Sequence, residues 1–253
     1  MRVLAHPAAP GAIELRARAH CVDCAIRQHA VCSHCDVDEL EFLSAIKTYR
    51  NYRPGEPILA MGERAPFLGT MLDGVASMSR LLPDGRRQVV GLLFPGDLVG
   101  RPFSPVSPFE YVAVTEARLC AFDRPQFEAA LRATPSLERR LLEMTLDELD
   151  SAREWMVLLG RKSAQEKMCS FFALAARRAL RLEKRDPIDG MLVVLPMSRE
   201  DMADFLGLTI ETVSRQISAL KKSGVIELID ARHLLIPSWS DLLDAGGGDI
   251  ELY

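Results

Sequence analysis

Apolar and polar positions follow three rhythms along this 253-residue chain. From about Asn51 to Phe127, β-favouring residues come in short runs cut by turn signals: Pro54-Gly55-Glu56, Met61-Gly62-Glu63, Leu72-Asp73-Gly74, Pro83-Asp84-Gly85 and Pro95-Gly96-Asp97. Short strands at such spacing predict an antiparallel roll or barrel. Asp84-Gly85, lying between Val75–Leu82 and Arg87–Phe94, predicts a hairpin tip.

The rhythm changes at Pro135, after which neither Gly nor Pro occurs until Gly160. Leu142, Thr145, Leu149, Ala152, Met156 and Leu159 recur at alternating intervals of three and four, while Glu143, Asp147, Glu148, Asp150 and Arg153 occupy other faces. So narrow a stripe resembles the seam between two paired helices more than the broad face of a helix lying on its own domain. The expectation is a long dimerisation helix that makes the protein a homodimer. A second helix follows, roughly Ser163 to Leu182, in which Cys169 has apolar neighbours and reads as a packed small hydrophobe. Arg185–Gly190 then reads as a loop.

The third rhythm is that of two short helices. Ser198, with Asp201 three residues on, predicts an N-cap, Met202, Ala203 and Leu206 a buried face, and Gly207 a break. Val213, Ile217 and Leu220 repeat at helical spacing until Gly224. Two short helices around a tight Gly turn, followed by a hairpin from Val225–Asp230 to Leu234–Ile236, predict a winged helix-turn-helix. The outward face of its second helix then carries Glu211, Thr212, Ser214, Arg215 and Ser218. Arg215 has the donors for guanine O6 and N7, and Glu211 can accept from a base amino group. The bland alternative is a solvated face whose acid answers the helix dipole.

The whole is an α+β chain divided into a cysteine-rich arm over 1–36, an antiparallel β-roll over 37–134, the long helix over 135–160, the DNA reader over 161–240, and a tail over 241–253 that reads as flexible. With 48% hydrophobic and 26% charged residues the composition is that of a soluble globular protein. The formal charge of −4 argues against bulk electrostatic attachment to nucleic acid. Between Arg161 and Arg232, however, 13 Lys and Arg face 10 Asp and Glu, a local excess of +3. DNA binding must therefore rest on local geometry. The first ten residues hold one Arg and no long apolar run, and no stretch reaches the roughly 20 apolar residues of a spanning helix. The expectation is a cytoplasmic protein with no membrane association, whose thiols stay reduced.

Four of the six cysteines fall within fifteen residues: Cys21-Val-Asp-Cys24, seven residues, then Cys32-Ser-His-Cys35. Thiolates so spaced let one loop wrap a soft metal centre, and both zinc and iron-sulfur clusters accept four. His20, His29, His34, Glu14 and Asp23 lie nearby, but no nucleophile-base arrangement or phosphate-cradling Gly loop appears. The chain reads as a regulator, not an enzyme.

Glu211-Thr212-Val213-Ser214-Arg215 resembles the Glu-x-x-Ser-Arg reader of FNR-type oxygen regulators in the cyclic-AMP receptor protein superfamily. The likeness covers nearly the whole chain, in the order cysteine arm, cyclic-nucleotide-binding-like β-roll with Pro95-Gly96-Asp97-Leu98-Val99-Gly100, dimer helix and winged helix-turn-helix. Cyclic-AMP receptor proteins themselves carry Arg before the Glu and Gly at the Ser, where this chain has Ile210 and Ser214. The resemblance implies TTGAT half-sites in an inverted repeat. It also implies an RNA polymerase contact through loops such as Pro83–Arg87, and a 4Fe-4S cluster on Cys21, Cys24 and Cys32 with Cys120 as fourth ligand. Cys35 is the alternative fourth ligand, in a local tetrathiolate that would suit zinc and make the regulator indifferent to oxygen. A cyclic nucleotide is not expected, because Arg101, Pro108 and Phe109 stand where the superfamily pocket needs a Glu and an Arg-Ser pair.

Overall fold

A computed structural model describes residues 21–248. Two short 3-10 turns, Cys21–Asp23 and Arg27–His29, lead into helix α1 (Val37–Ile46), opened by a reciprocal capping box between Asp36 and Glu39. Eight strands follow: β1 (Lys47–Tyr52), β2 (Pro57–Leu59), β3 (Phe67–Asp73), β4 (Ala76–Leu81), β5 (Arg87–Leu93), β6 (Leu98–Val99), β7 (Glu110–Ala113) and β8 (Ala117–Asp123). They form two four-stranded antiparallel sheets, β1-β8-β3-β6 and β2-β7-β4-β5, so the expected roll is present and begins four residues before Asn51. Asp84-Gly85 does turn the β4–β5 hairpin, with Gly85 at φ +88° and Arg86 folded back on Asp84.

Helix α2 (Arg124–Ala133) closes the roll, and α3 runs unbroken over Pro135–Arg161. Its own chain buries little of it: only Leu137, Trp155 and Leu158 are fully covered. Leu142 and Met156 are 59% and 72% exposed, and Leu146, Leu149 and Val157 are also open. Thr145 and Ala152 share this open stripe. Leu159 departs from the expected seam, being half-buried against the core of the C-terminal domain. The helix rotates about 100° per residue, so its last turns bring Trp155, Leu158 and Leu159 round to that domain.

The C-terminal domain comprises α4 (Ala164–Leu180), β9 (Met191–Val194), α5 (Arg199–Leu206), α6 (Ile210–Lys222), β10 (Glu227–Leu228), β11 (His233–Ile236) and α7 (Trp239–Ala245). Ser198 caps α5 through a capping box with Asp201, and Gly207 ends it in the left-handed region at φ +61°. The wing is a three-stranded sheet, β10-β11-β9, its third strand the unforeseen Met191–Val194. Cys169 is buried in the domain core, as a packed hydrophobe should be. The flexible tail expected from 241 onward is contradicted as far as 245: α7 crosses that boundary, Ser238 caps it, and Leu242 is fully buried against the α4 core. The tail's composition suggested solvent, but Leu242 and Leu243 supply an apolar face. Residues 249–253, like 1–20, lie outside the described residues.

The two domains meet along β5. Arg87 is not part of a free loop: its guanidinium pairs with Asp201 and, at 2.8 Å, with Asp204, both on α5. Gln88 donates to the Asp204 carbonyl at 2.7 Å, and Val89 is buried in the C-terminal core. Asp97 accepts from Arg181 at 3.1 Å and faces Arg178, and Trp155 stacks on Phe205 at 4.1 Å. Burial by itself would raise the Asp201 carboxyl, but hydrogen bonds from Ser198 and Arg87 hold it below the usual carboxylate range.

Replacing Arg87 with Ala is expected to cost about 1–3 kcal/mol, as for hydrogen bonds to charged groups. Urea unfolding followed by tryptophan fluorescence measures this, and a double-mutant cycle with Asp204→Asn isolates the pair. Because the folded-state pKa of Asp201 is depressed, its contribution is present at neutral pH and is lost as pH falls below the usual carboxylate range. The Arg87 effect should therefore shrink in acid.

Candidate functional site

Strand alternation turns Cys120 away from the roll interior. In β8, successive side chains point to opposite faces, so Leu119 and Ala121 enter the roll interior while Cys120 and Phe122 face outward. That outer face is covered by the N-terminal segment and by α1 and α2. Cys21, Val31, Cys35, Leu40, Leu43, Leu68, Phe122 and Phe127 form one buried cluster with Cys120, and Cys32 packs at its edge. The segment is held closely: Gly96, at φ +101°, lies where a Cβ would come within 2.8 Å of the His29 Cβ. No larger residue fits that contact. Residues 21–36 are thus a packed segment, not a loose arm.

All six cysteines are free thiols. Burial, then the charges of Cys21 and Cys32, pushes the Cys120 thiol far up. Burial pushes Cys32 up to about 12, with Cys21 and Cys24 as the next causes, and Cys24 is raised by burial and by Cys21. These four thiols therefore lie within one another's electrostatic field. Cys35 lies in the same buried cluster and also raises Cys32, but after burial its own main perturber is Glu39, and it reaches about 11. Lys47, which sequence reasoning missed, donates from Nζ to Cys21 Sγ at 3.4 Å and to Ser44 Oγ at 3.0 Å. Among the described residues no group of three or more His, Cys, Asp or Glu side chains is arranged to hold a single metal ion. The mutual perturbation and this lack of convergence are compatible: thiols can share a field without meeting at one point.

The second site is the outer face of α6. Thr209 caps the helix, accepting from the Thr212 N–H at 3.2 Å, and Val213, Ile217 and Leu220 anchor its inner face. Opposite them Glu211, Arg215 and Ser218 are exposed, and Thr212 and Ser214 are partly so. Hydrogen bonds from its own backbone N–H and the Thr209 hydroxyl hold Glu211 below the usual carboxylate range, so it is an acceptor. Arg215 Nη2 leans on Thr212 Oγ1 at 3.5 Å, and Ser218 donates to the Ser214 carbonyl at 2.9 Å. Arg199, at the start of α5, donates to Ser214 Oγ at 3.3 Å and adds a cation to this face that the sequence motif did not include. Arg101 is exposed and lies outside the roll interior, and Phe109 packs against the roll core.

A sensor-like roll, a long helix with an open apolar stripe and a helix-turn-helix with a polar outer face define a DNA-binding transcription regulator. The chain matches a cyclic nucleotide-binding domain over residues 49–134 and a Crp-like helix-turn-helix domain over 166–245. It is 48% identical over 229 residues to the transcriptional activator protein FnrL of Cereibacter sphaeroides, covering 90% of this chain and 92% of the relative. It is 39% identical to the nitrogen fixation regulation protein FixK of Bradyrhizobium diazoefficiens, covering 87% of this chain and 92% of that one. Among solved structures, FixK2 from Bradyrhizobium japonicum is similar with a TM-score of 0.71 and 32% identity, covering 81% of this chain and all of that one. The chain belongs to the CRP/FNR family of transcription regulators and is not an enzyme. No helix among the described residues is long and apolar enough to cross a membrane.

Proposed function

We propose that this protein is an oxygen-responsive regulator in which Cys21, Cys24, Cys32 and Cys120 bind a 4Fe-4S cluster and a homodimer reads an inverted repeat of TTGAT-type half-sites. The observation that carries the reading is that Cys21 and Cys120 are buried in one cluster with Cys32 at its edge, and that Cys24, Cys32 and Cys120 are each raised by Cys21; Cys35 lies in the same cluster, but after burial its main perturber is Glu39. The donor chemistry fits: soft, desolvated thiols with an ammonium beside them. When bound, such a cluster supplies a centre that dioxygen attacks. Cys120 belongs to β8 and the other three to the segment that covers it, so the four together tie that segment to the roll.

That segment continues into α1, whose Glu39 accepts from Ser136 Oγ at 2.7 Å at the start of α3. A change in its docking thereby reaches the helix whose stripe, Leu142, Thr145, Leu149, Ala152 and Met156, pairs the two subunits. About 1.4 kcal/mol of coupling shifts such an equilibrium tenfold. Pairing sets two α6 helices roughly 34 Å apart, one turn of DNA. Glu211, Ser214 and Arg215 then face base edges, with Thr212 and Ser218 beside them. An RNA polymerase contact, if made by the β4–β5 tip, falls to residues 83–86, since Arg87 is engaged with α5.

Anoxically purified protein should be brown, with a broad visible band that bleaches in air. Colourless protein that retains zinc overturns the reading. Cys120→Ser should abolish the band and Cys35→Ser should keep it, and the reverse pattern reassigns the fourth ligand. Arg215→Ala should remove about 1–3 kcal/mol of preference for the guanine-containing half-site while weak binding to any duplex persists, measured by competition with mutated operators. Leu149→Glu, which puts a charge in the stripe, should yield monomers in anoxic sedimentation while the visible band remains.

A further inference from the structure

We propose that Lys47 is the built-in counter-ion of the thiol site, offsetting the negative charge that four metal-bound thiolates concentrate there. This rests on the reading that Cys21, Cys24, Cys32 and Cys120 hold a metal centre. Lys47 opens β1 opposite Phe122, and Tyr49 pairs with Cys120, so by strand alternation Lys47 shares the face of β1 that lies against the outward face of β8. It is fixed from two sides. Its ammonium donates to Cys21 Sγ at 3.4 Å, on the N-terminal segment, and to Ser44 Oγ at 3.0 Å, in the last turn of α1. It also lies 5.7 Å from the Tyr49 ring, whose other neighbour is the Arg118 guanidinium at 4.6 Å. Its charge acts on Cys24 and Cys120 as well as Cys21.

The electrostatic requirement is specific to the loaded state. Four thiolates around a dipositive core leave a net negative charge of about two units, held away from water. A fixed cation within hydrogen-bond reach of one sulfur lowers the cost of burying that charge. Without metal that concentrated charge is absent, and the largest effect on the ammonium is the cost of its own partial burial. Removing it should therefore weaken metal retention far more than it alters the metal-free fold. A merely structural lysine would do the reverse.

The test uses the full chain, loaded anoxically with ferrous iron and sulfide and then challenged with a ferrous chelator, with iron release followed by absorbance. Lys47→Met should release iron severalfold faster than the wild type, Lys47→Glu faster still, and Lys47→Arg at nearly the wild-type rate. The metal-free Lys47→Met protein should melt no lower than metal-free wild type. Release from Lys47→Met at the wild-type rate overturns the inference, and so does a lowered melting temperature of its metal-free form, which would mark a structural role. If Lys47→Met takes up no iron, Ser44→Ala decides, because it keeps the lysine but removes one of its two anchors. Faster release from that variant supports the inference, and wild-type release overturns it. A wild-type chain that takes up no iron or sulfide fails at a different point: it overturns the four-cysteine reading, and Lys47 with it.

Discussion

The alternation of β8 is the constraint on which the sensor end of the molecule depends. A central strand of the roll must send one set of side chains inward, and Leu119 and Ala121 are that set. Cys120 and Phe122 are thereby turned outward, where they are buried only because residues 21–36 and the two flanking helices lie over them. The site thus has two halves from distant parts of the chain, one rigid and one laid against it. Gly96 marks how closely they meet, since any side chain there would collide with His29.

A second set of contacts links the roll to the DNA reader. Arg87 and Gln88 of β5 hold the first helix of the helix-turn-helix, Asp97 holds α4 and the turn that follows it, and Trp155 of the long helix stacks on Phe205. The helix that carries the exposed apolar stripe is therefore also the helix that packs on the reader. The capping box of α5 adds a further link, since Asp201 serves both Ser198 and Arg87.

Much of this architecture was legible in the chain. Turn signals at Pro-Gly, Asp-Gly and Gly-Asp steps marked the roll, the run without Gly or Pro marked the long helix, and Ser198, Gly207 and Gly224 marked the reader. These features are local: each depends on backbone preference or on a periodic pattern within a few turns of chain. Misreadings came where local composition and long-range packing disagree. A glycine-rich, acidic C-terminus suggested a free tail, yet Leu242 is buried and α7 belongs to the core. Met191–Val194 is too short and too plain to declare itself a strand until β11 pairs with it.

By itself, the sequence determined the order of elements, the helix-turn-helix with its outward Glu211, Ser214 and Arg215, and the close spacing of four thiols near the N-terminus. That Cys120 lies against the N-terminal thiols was decided only by tertiary structure, because it is 85 residues beyond Cys35 and its placement depends on strand register. The same holds for Lys47 beside Cys21, Arg87 on Asp201 and Asp204, and Arg199 on Ser214. Periodicity specifies which face of an element is apolar. Only the packing of those faces specifies which charges and thiols end up side by side.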